Sequence, residues 1–413
     1  MHVGRAIGLG AAELWDLYYT LLLKDLGCSS NAARICELYL SDDLQFKRDF
    51  KTVGDGLPEV LQFVFQHTGL RVGTAQRLRR AFDIVRHGRR YAQELIQTRC
   101  TRGAAIARQL RFNEAVAGAI ASLDEHWDGR GRPEGLAGTR IPLASRIALL
   151  AQVVDVFHSA SGATAAQAEL RRRSGRWFDP ALVRAFESVA ADPGFWRVLA
   201  APAVDAAVRA LEPPGRSVAL DDDYLDDIAT AFGQVVDSKS PYTRGHSERV
   251  ARYADAIASR LDVAAPRRRW LRRAALLHDL GKLGVSNAVL DKPAALDAAE
   301  WAEVRLHPGH TEAILGRIEA FGELASVAGA HHERLDGGGY PRGLAGDAIR
   351  LETRIITVAD IFDAISAQRP YRAAVPLPRT LEMMATTVGS AIDPLCFEAL
   401  REAARGGEVD IAG

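Results

Sequence analysis

Four histidines and two aspartates between residues 278 and 360 have the side-chain types and the spacing of one metal cage. These residues are His278, Asp279, His307, His331, His332 and Asp360. Imidazole and carboxylate groups together are ligands for first-row transition metals, and a cage that bridges two ions while leaving positions open for water is suited to metal-assisted hydrolysis. The residues therefore predict a metallohydrolase.

Lys282 adds a positive charge beside this predicted cage. It follows His278 by one helical turn in the segment AALLHDLGKLG, so the two side chains share a face. A cation next to two metal ions suits a phosphate group. An isolated His-Asp pair at a helix end is usually solvated, but the later histidine pair, followed by three glycines and Pro341, makes the metal interpretation the stronger one.

Helical periodicity dominates the segments that carry these residues. In SERVARYADAIASRL and RRWLRRAALLHDLGKL, apolar residues recur at spacings of three and four, whereas strand-like alternation is scarce in the chain. The pattern predicts an all-α protein.

The composition limits the protein class. The 413 residues are enough for two or three domains, and 48% hydrophobic content can supply a core for each. The formal net charge of zero gives no support for binding to nucleic acid or to an anionic membrane. The four cysteines form no CxxC pair, the first residues lack the pattern of a signal peptide, and no apolar run approaches the roughly 18 residues that span a bilayer. We expect a cytoplasmic protein with reduced thiols that binds neither nucleic acid nor a membrane.

An internal repeat indicates two copies of one domain. Residues 333–363 align without gaps on residues 125–155, at an offset of 208. Shorter matches join LLKDLG to LLHDLG and FDPALV to IDPLCF. A Pro-Pro-Gly sequence and an acidic run lie between the copies and indicate a boundary. We predict tandem helical domains at residues 1–190 and 224–413, joined by a helical linker at residues 191–223.

The motifs HDLGK, HHERLDGGGYP and ADIFDAISAQRPYR together resemble the HD-GYP family, a branch of the HD phosphohydrolases. The resemblance covers residues from about 224 to the C-terminus, and it includes the upstream segment SPYTRGHSERVARYA. Together with the internal repeat, it implies two tandem HD-type domains, of which the first is a degenerate copy.

The resemblance also implies the roles of individual residues. The implied metal ligands are His246, His278, Asp279, His307, His331, His332 and Asp360. Asp279 is expected to bridge two ions, Fe or Mn, and to act with Lys282 as a catalytic residue. Some family members bind a third metal through a glutamate at the position of Tyr242, so we expect two metals here. The implied substrate contacts are Lys282, Gly339, Tyr340, Arg369 and Arg372.

The reaction implied by the resemblance is hydrolysis of cyclic di-GMP to linear pGpG, GMP or both, by a water that two metals activate. Two alternatives stay open. The cage could act on another cyclic dinucleotide or nucleotide, or the protein could be a cyclic-dinucleotide receptor with vestigial catalysis.

The first copy lacks the ligand set. The counterparts of His278, His307, His331, His332, Asp360 and Lys282 are Lys24, Arg99, Leu123, Asp124, Gln152 and Cys28. Only Asp25 keeps the ligand type of its counterpart, Asp279, and a lysine and an arginine in place of neutral ligands repel cations. We therefore expect no metal in the first copy, which could instead regulate the second copy, cover it, or support a homodimer or a signalling partner.

Overall fold

The computed structural model describes residues 1–39, 74–202, 204–215, 218–292, 294–368 and 373–409. Within these residues all regular structure is helical, and β-type pairing is limited to isolated bridges such as Asp128 with Ala137 and Asp336 with Ala345. The prediction of an all-α fold is confirmed.

The chain divides into two compact units, Met1–Ala219 and Leu220–Gly413. The helices described in the first unit are α1 (His2–Ala6), α2 (Ala11–Leu23), α3 (Ala32–Tyr39), α4 (Thr74–Gln109), α5 (Glu114–Ala121), α6 (Leu143–Arg173), α7 (Pro180–Ala190), α8 (Pro193–Leu199) and α9 (Val204–Arg209). Those described in the second unit are α10 (Asp222–Asp237), α11 (His246–Arg260), α12 (Ala265–Leu277), α13 (Asn287–Leu290), α14 (Ala298–Val304), α15 (His307–Leu315), α16 (Gly322–Ala328), α17 (Leu351–Ser366), α18 (Leu377–Ala385) and α19 (Pro394–Arg405). Short 3-10 helices lie at Cys28–Asn31, Gly138–Arg140, Leu280–Gly284, Glu319–Phe321 and Gly346–Ala348.

The segment predicted as a linker is largely built into the first unit. It contains α8 and α9, and Glu212 accepts a hydrogen bond from Tyr19 Oη at 2.6 Å. The boundary between the units, after Ala219, lies inside the predicted linker range.

The core of the second unit forms around α11. Val250, Tyr253 and Ile257 recur at helical spacing on one face of this helix and are buried in the cluster that also receives α12, α17 and α19. The ring of Tyr253 meets that of Phe362 edge to face, with centroids 5.0 Å apart. Truncation of Ile257 to alanine would cost about 2–5 kcal/mol, as for other fully buried aliphatic side chains.

The first unit has its own core, centred on α6. Ile147, Leu150 and Val154 are buried in it together with residues of α7. By length and composition α6 could cross a membrane, and it is the one such helix in the part of the chain that the structure describes. Part of this helix is buried in the core of the first unit, and the helix is broken at Gly162 (φ 83°, ψ 177°).

The internal repeat also appears as matching contacts in the two units. A side chain at Gly27 would lie 2.0 Å from the carbonyl oxygen of Arg99, and one at Gly281 would lie 1.9 Å from that of His307. Both positions require glycine because the backbones touch there. The two glycines align in the LLKDLG and LLHDLG matches, and residues 99 and 307 are 208 apart, so the three-dimensional contacts follow the same register as the sequence repeat.

A second pair of matching contacts explains the similarity between FDPALV and IDPLCF. Asp179 and Asp393 cap the N-termini of α7 and α19. Each also forms an ion pair with an arginine near the start of an earlier helix, Arg146 of α6 at 2.7 Å and Arg354 of α17 at 3.0 Å. The same cap and the same clamp therefore fix the last helix of each copy.

Candidate metal centre

The predicted ligands are placed mainly by helix ends. His246 and His307 are the first residues of α11 and α15, and His278 directly follows α12. Such positions let an imidazole leave the helix surface and point along the core. The His331-His332 pair follows α16, and Asp360 lies in the interior of α17.

Three of the histidines share one local arrangement, in which the Nδ1 atom lies 2.6–2.7 Å from the carbonyl oxygen three residues earlier. The pairs are His278 with Ala275, His307 with Val304, and His331 with Ala328. A carbonyl oxygen can only accept, so Nδ1 carries the hydrogen and Nε2 presents a lone pair to the cage.

His246 is oriented by a carboxylate instead. Its Nδ1 atom lies 2.7 Å from Oδ2 of Asp363, which is buried. Arg249 holds the same carboxylate through its Nε atom, 2.5 Å from Oδ1, and through a terminal nitrogen, 3.0 Å from Oδ2. The ring of His246 therefore has a fixed direction, with Nε2 facing the cage.

Asp279 lies at the centre of the cage and faces two groups of ligands. Its Oδ2 atom lies 3.4 Å from Nε2 of both His246 and His278. Its Oδ1 atom lies 3.3 Å from Nε2 of His307 and 3.7 Å from Nε2 of His331. One carboxylate thus presents a different oxygen to each side, which is the geometry that a bridging ligand needs.

Three overlapping groups of side chains have donor atoms within 4.8 Å of one another. The groups are His246 with His278 and Asp360, His278 with Asp279 and His331, and His307 with His331 and His332. All seven predicted metal ligands are in these groups, so the structure brings together residues that lie up to 114 positions apart (360 − 246).

Several donor atoms in the cage are buried without a hydrogen-bond partner among the described residues. They are Nε2 of His246, Nε2 of His278 and Oδ1 of Asp279. Buried polar atoms of this kind are costly unless something satisfies them. A pair of divalent cations would satisfy all three, so the residues present fit the metals that the family resemblance implies.

The protonation states also suit cation binding. Burial, reinforced by neighbouring histidines, lowers the pKa of His331 well below its usual value, and burial lowers the pKa of His332 to about 3. Burial alone would raise the pKa of Asp279, but the neighbouring His278 and Lys282 together with hydrogen bonds hold it well below its usual range. The cage therefore offers neutral imidazoles and an ionised carboxylate.

His246 is the exception. Burial opposes its charged form, yet Asp279, Asp360 and Asp363 together raise its pKa well above the usual value. Without metal, a proton on this ring is the positive charge that the surrounding carboxylates attract.

Among the predicted substrate contacts, Lys282 and Tyr340 lie at the edge of the cage. The Lys282 Nζ atom is 2.5 Å from Oδ2 of Asp279. The ring of Tyr340 lies against that of His332, with centroids 4.8 Å apart. Gly339 has a structural reason to be glycine, because a side chain there would lie 2.5 Å from the backbone nitrogen of Arg334. Arg369 and Arg372 lie outside the described residues.

The corresponding positions of the first unit hold ion pairs. Lys24 Nζ lies 2.5 Å from Asp25, and Arg99 contacts Asp124. Through the repeat, Arg99 takes the place of His307, and Asp124 takes the place of His332. Lysine and arginine side chains thus pair with acidic groups at positions where the second unit has predicted ligands. Among the described residues, all the candidate metal-binding groups lie in the second unit.

Sequence reasoning missed Asp363 and Arg249. The sequence does contain a usable signal: Asp363 follows Asp360 by three residues, and Arg249 follows His246 by three, so each is one helical turn from a predicted ligand on the same helix face. The contact that joins them across two helices has no signature in spacing.

Comparison with known proteins places the chain in a family. The family model described as HD domain matches residues 74–182 and 231–395, once in each unit. The chain is 57% identical over 403 residues to the 3'3'-cGAMP-specific phosphodiesterase 3 of Vibrio cholerae, covering 98% of this chain and 88% of the relative. It is 37% identical over 172 residues to the cyclic di-GMP phosphodiesterase response regulator RpfG of Xanthomonas campestris, covering 41% of this chain and 45% of that protein.

A solved structure agrees with the first of these relatives. The crystal structure of a cyclic GMP-AMP specific phosphodiesterase of V. cholerae matches with a TM-score of 0.63 and 51% identity, covering 98% of this chain and 90% of that one. Together with the double family match and the cage of the second unit, this similarity shows that the chain belongs to the HD domain family and is a phosphodiesterase of its HD-GYP branch.

Proposed function

We propose that the second unit hydrolyses 3'3'-cyclic GMP-AMP to a linear dinucleotide with the help of two divalent metal ions. The observation that carries the proposal is the placement of Asp279, whose two carboxylate oxygens face two different groups of histidines. The substrate follows from the relative that matches 98% of the chain, which is named for cyclic GMP-AMP. Cyclic di-GMP, the substrate expected from the motifs alone, becomes the second candidate, because the relative named for it covers 41% of the chain.

Two metals in this cage would activate a water, hold an oxygen of the phosphodiester and stabilise the leaving 3' oxygen. His246, His278 and Asp360 would hold one ion, His307, His331 and His332 the other, and Asp279 would bridge them. We expect Fe or Mn as the metal, because both accept mixed imidazole and carboxylate ligands.

The remaining residues of the cage act on the substrate side. Lys282 neutralises Asp279 Oδ2 and keeps a partly exposed ammonium group, with 21% of its side chain accessible, at the edge of the cage. There it can contact the phosphate and deliver a proton to the leaving 3' oxygen. Loss of the 3' oxygen leaves the phosphate on the 5' side, so the expected product is a linear dinucleotide with a 5' phosphate.

Cyclic GMP-AMP and cyclic di-GMP differ in one purine. The metal ligands contact neither base in this scheme, so the cage alone does not discriminate between the two substrates. Discrimination requires side chains outside the cage that reach a base.

The proposal is tested with the full chain purified without oxygen and supplied with Mn²⁺ or Fe²⁺. Each of cyclic GMP-AMP, cyclic di-GMP and cyclic di-AMP is incubated with the protein, and the products are separated and weighed by mass spectrometry. We expect the highest kcat/KM for cyclic GMP-AMP and a linear 5'-phosphorylated product. Equal or greater turnover of cyclic di-GMP would restore that substrate as the main one.

A matched pair of double variants makes the test specific to the second unit. The change of His278 and Asp279 to alanine should abolish turnover and remove bound metal. The change of their counterparts in the repeat, Lys24 and Asp25, to alanine should leave the metal content unchanged. Binding of the dinucleotide with no turnover under either metal would favour the receptor alternative.

A further inference from the structure

Aromatic and cationic side chains form a continuous strip from the cage to the surface of the second unit. His332 packs against Tyr340, with ring centroids 4.8 Å apart and an angle of 32° between the rings. The guanidinium carbon of Arg305 lies 5.4 Å from the centre of the Tyr340 ring and 6.0 Å from that of Trp301. The strip therefore runs from a predicted metal ligand, through Tyr340 and Arg305, to Trp301.

The outer end of the strip is open to solvent. Trp301 is 47% exposed, which is unusual for so large an apolar ring, and Arg305 is exposed as well. An exposed tryptophan by itself does not indicate a binding site. Here, however, the exposed ring adjoins a guanidinium that adjoins a tyrosine lying against the cage, and the same ring types recur in nucleotide-binding platforms.

The charge of Arg305 is available to a ligand. In the parts of the second unit that the structure describes, no ion pair forms between Arg305 and an acidic residue, and its guanidinium group lies beside two aromatic rings. Other arginines of the unit are engaged, such as Arg342 with Glu312 at 2.8 Å and Arg267 with Glu352 at 2.6 Å. An arginine without a carboxylate at the edge of a phosphodiesterase site can donate to phosphate or to the acceptor edge of guanine.

The first unit provides an internal comparison. With the offset of 208, the counterparts of Trp301 and Arg305 are Gln93 and Gln97. They lie on α4, and Gln93 Nε2 donates to the carbonyl oxygen of Pro133 at 2.8 Å. Pro133 is the counterpart of Pro341, so this helical segment of the first unit contacts the loop that corresponds to the Tyr340 loop. The copy without the ligand set thus also lacks the tryptophan and the arginine, although it retains a helical segment at the corresponding place.

We propose that Trp301, Arg305 and Tyr340 form a purine-binding subsite beside the cage, which rests on the proposed action on a cyclic dinucleotide. One purine stacks on the exposed ring of Trp301, and Arg305 donates hydrogen bonds to the same nucleotide. Tyr340 supports Arg305 from the side of the cage. The subsite supplies the base contact that the metal ligands cannot make.

The first test is kinetic and uses four single variants. Trp301→Leu and Arg305→Ala should each raise KM for cyclic GMP-AMP about tenfold, within the range measured when one stacked base loses its partner, with a smaller effect on kcat. Trp301→Phe retains a stacking ring and should restore KM to near the wild-type value. Arg317→Ala removes another exposed positive charge of the unit and serves as the control. All four should retain the wild-type metal content, since none of these side chains is a ligand.

The second test measures binding directly. Titration with a hydrolysis-resistant phosphorothioate analogue of cyclic GMP-AMP should quench tryptophan emission in the wild type. This quenching should be lost in Trp301→Phe while the affinity stays close to that of the wild type. A merely structural role of Trp301 would not produce that separation.

The outcomes distinguish the two proposals. If the wild type turns over no cyclic dinucleotide but binds the analogue with quenching that depends on Trp301, the proposed function fails and the subsite stands. If the wild type is active, while Trp301→Leu and Arg305→Ala have the KM of Arg317→Ala and the quenching persists in Trp301→Phe, the subsite is wrong.

Discussion

His246 Nδ1 lies 2.7 Å from Oδ2 of Asp363, a buried carboxylate that is itself held by Arg249. The pair joins the first residue of α11 to the interior of α17 and fixes the direction in which His246 presents Nε2. In the first unit the counterpart of Asp363 is Asp155, which is exposed. The aspartate is thus buried in the second unit, where it orients His246, and exposed in the first unit.

We predict that Asp363→Asn weakens metal binding without removing a ligand. An amide cannot match the charge of the carboxylate, so the His246 ring becomes less basic and less firmly oriented, and the loss should be about 10–100-fold in metal affinity. Affinity is measured by competition with a chelator, with metal content determined by elemental analysis. Asp347→Asn, a change at a fully exposed carboxylate of the same unit, is the control. Equal affinities of the two variants would contradict the assigned role of Asp363.

Asp279→Asn should have a larger effect on metal content than the loss of His307. The carboxylate faces both groups of ligands, whereas His307 belongs to one of them. We expect His307→Ala to lose about one metal per chain and Asp279→Asn to lose both. The measurement is the metal-to-protein ratio after dialysis against a weak chelator. A ratio near one in Asp279→Asn would mean that this residue does not bridge.

The free energy of unfolding of the metal-free protein should decrease as the pH is lowered below about 6.5. Burial depresses the pKa values of His278, His331 and His332 in the folded state, the last to about 3, whereas the unfolded chain titrates near 6.5. Below pH 6.5 the unfolded state therefore binds protons that the folded state does not bind. Each such histidine adds a slope approaching about 1.4 kcal/mol per pH unit to the dependence of the free energy of unfolding on pH. His246, whose pKa is raised, contributes stability that is fully present below its unfolded pKa and is lost as the pH rises above about 6.5, so it does not cancel the slope below that pH.

This dependence is measured by urea unfolding of the chelated protein at pH 7.5, 6.5 and 5.5. His332→Gln removes one titrating group and should reduce the slope by about one proton. An unchanged slope in that variant would contradict the assignment of a depressed pKa to His332.

The sequence carried most of the cage because the ligands lie in local motifs. A histidine next to an aspartate at a helix end, or a histidine pair before a glycine-rich turn, is visible as spacing alone, and the repeat showed which copy had lost them. The sequence did not predict Asp363, Arg249 or Arg305, because their roles depend on contacts between segments far apart in the chain. Spacing cannot show that Arg305 lies over Tyr340, 35 residues away (340 − 305).

The fold was predictable to a similar degree. Helical periodicity correctly indicates an all-α chain, since each amphipathic helix repeats its apolar face every three to four residues. The incorporation of α8 and α9 into the first unit was not visible, because a short amphipathic stretch followed by Pro-Pro-Gly has the same appearance in a linker and in the edge of a domain. The hydrogen bond from Tyr19 to Glu212 spans 193 residues and is a purely tertiary feature.

The pair formed by Arg99 and Asp124 should stabilise the first unit at the place where the second unit has histidine ligands. Both side chains are mostly buried, with 17% and 18% exposure. Arg99→Ala would leave Asp124 without its cation in this environment, and we expect a loss of about 2–3 kcal/mol in the free energy of unfolding, somewhat below the cost of breaking a fully buried pair. The double change of Arg99 and Asp124 to alanine should recover part of that loss, because no unpaired charge remains. Arg108→Ala, which breaks an exposed pair with Glu114, should cost clearly less than Arg99→Ala, because solvent screens an exposed ion pair. Urea unfolding of the full chain measures all three, and an Arg99→Ala variant as stable as Arg108→Ala would show that the pair is not a structural replacement for the ligands.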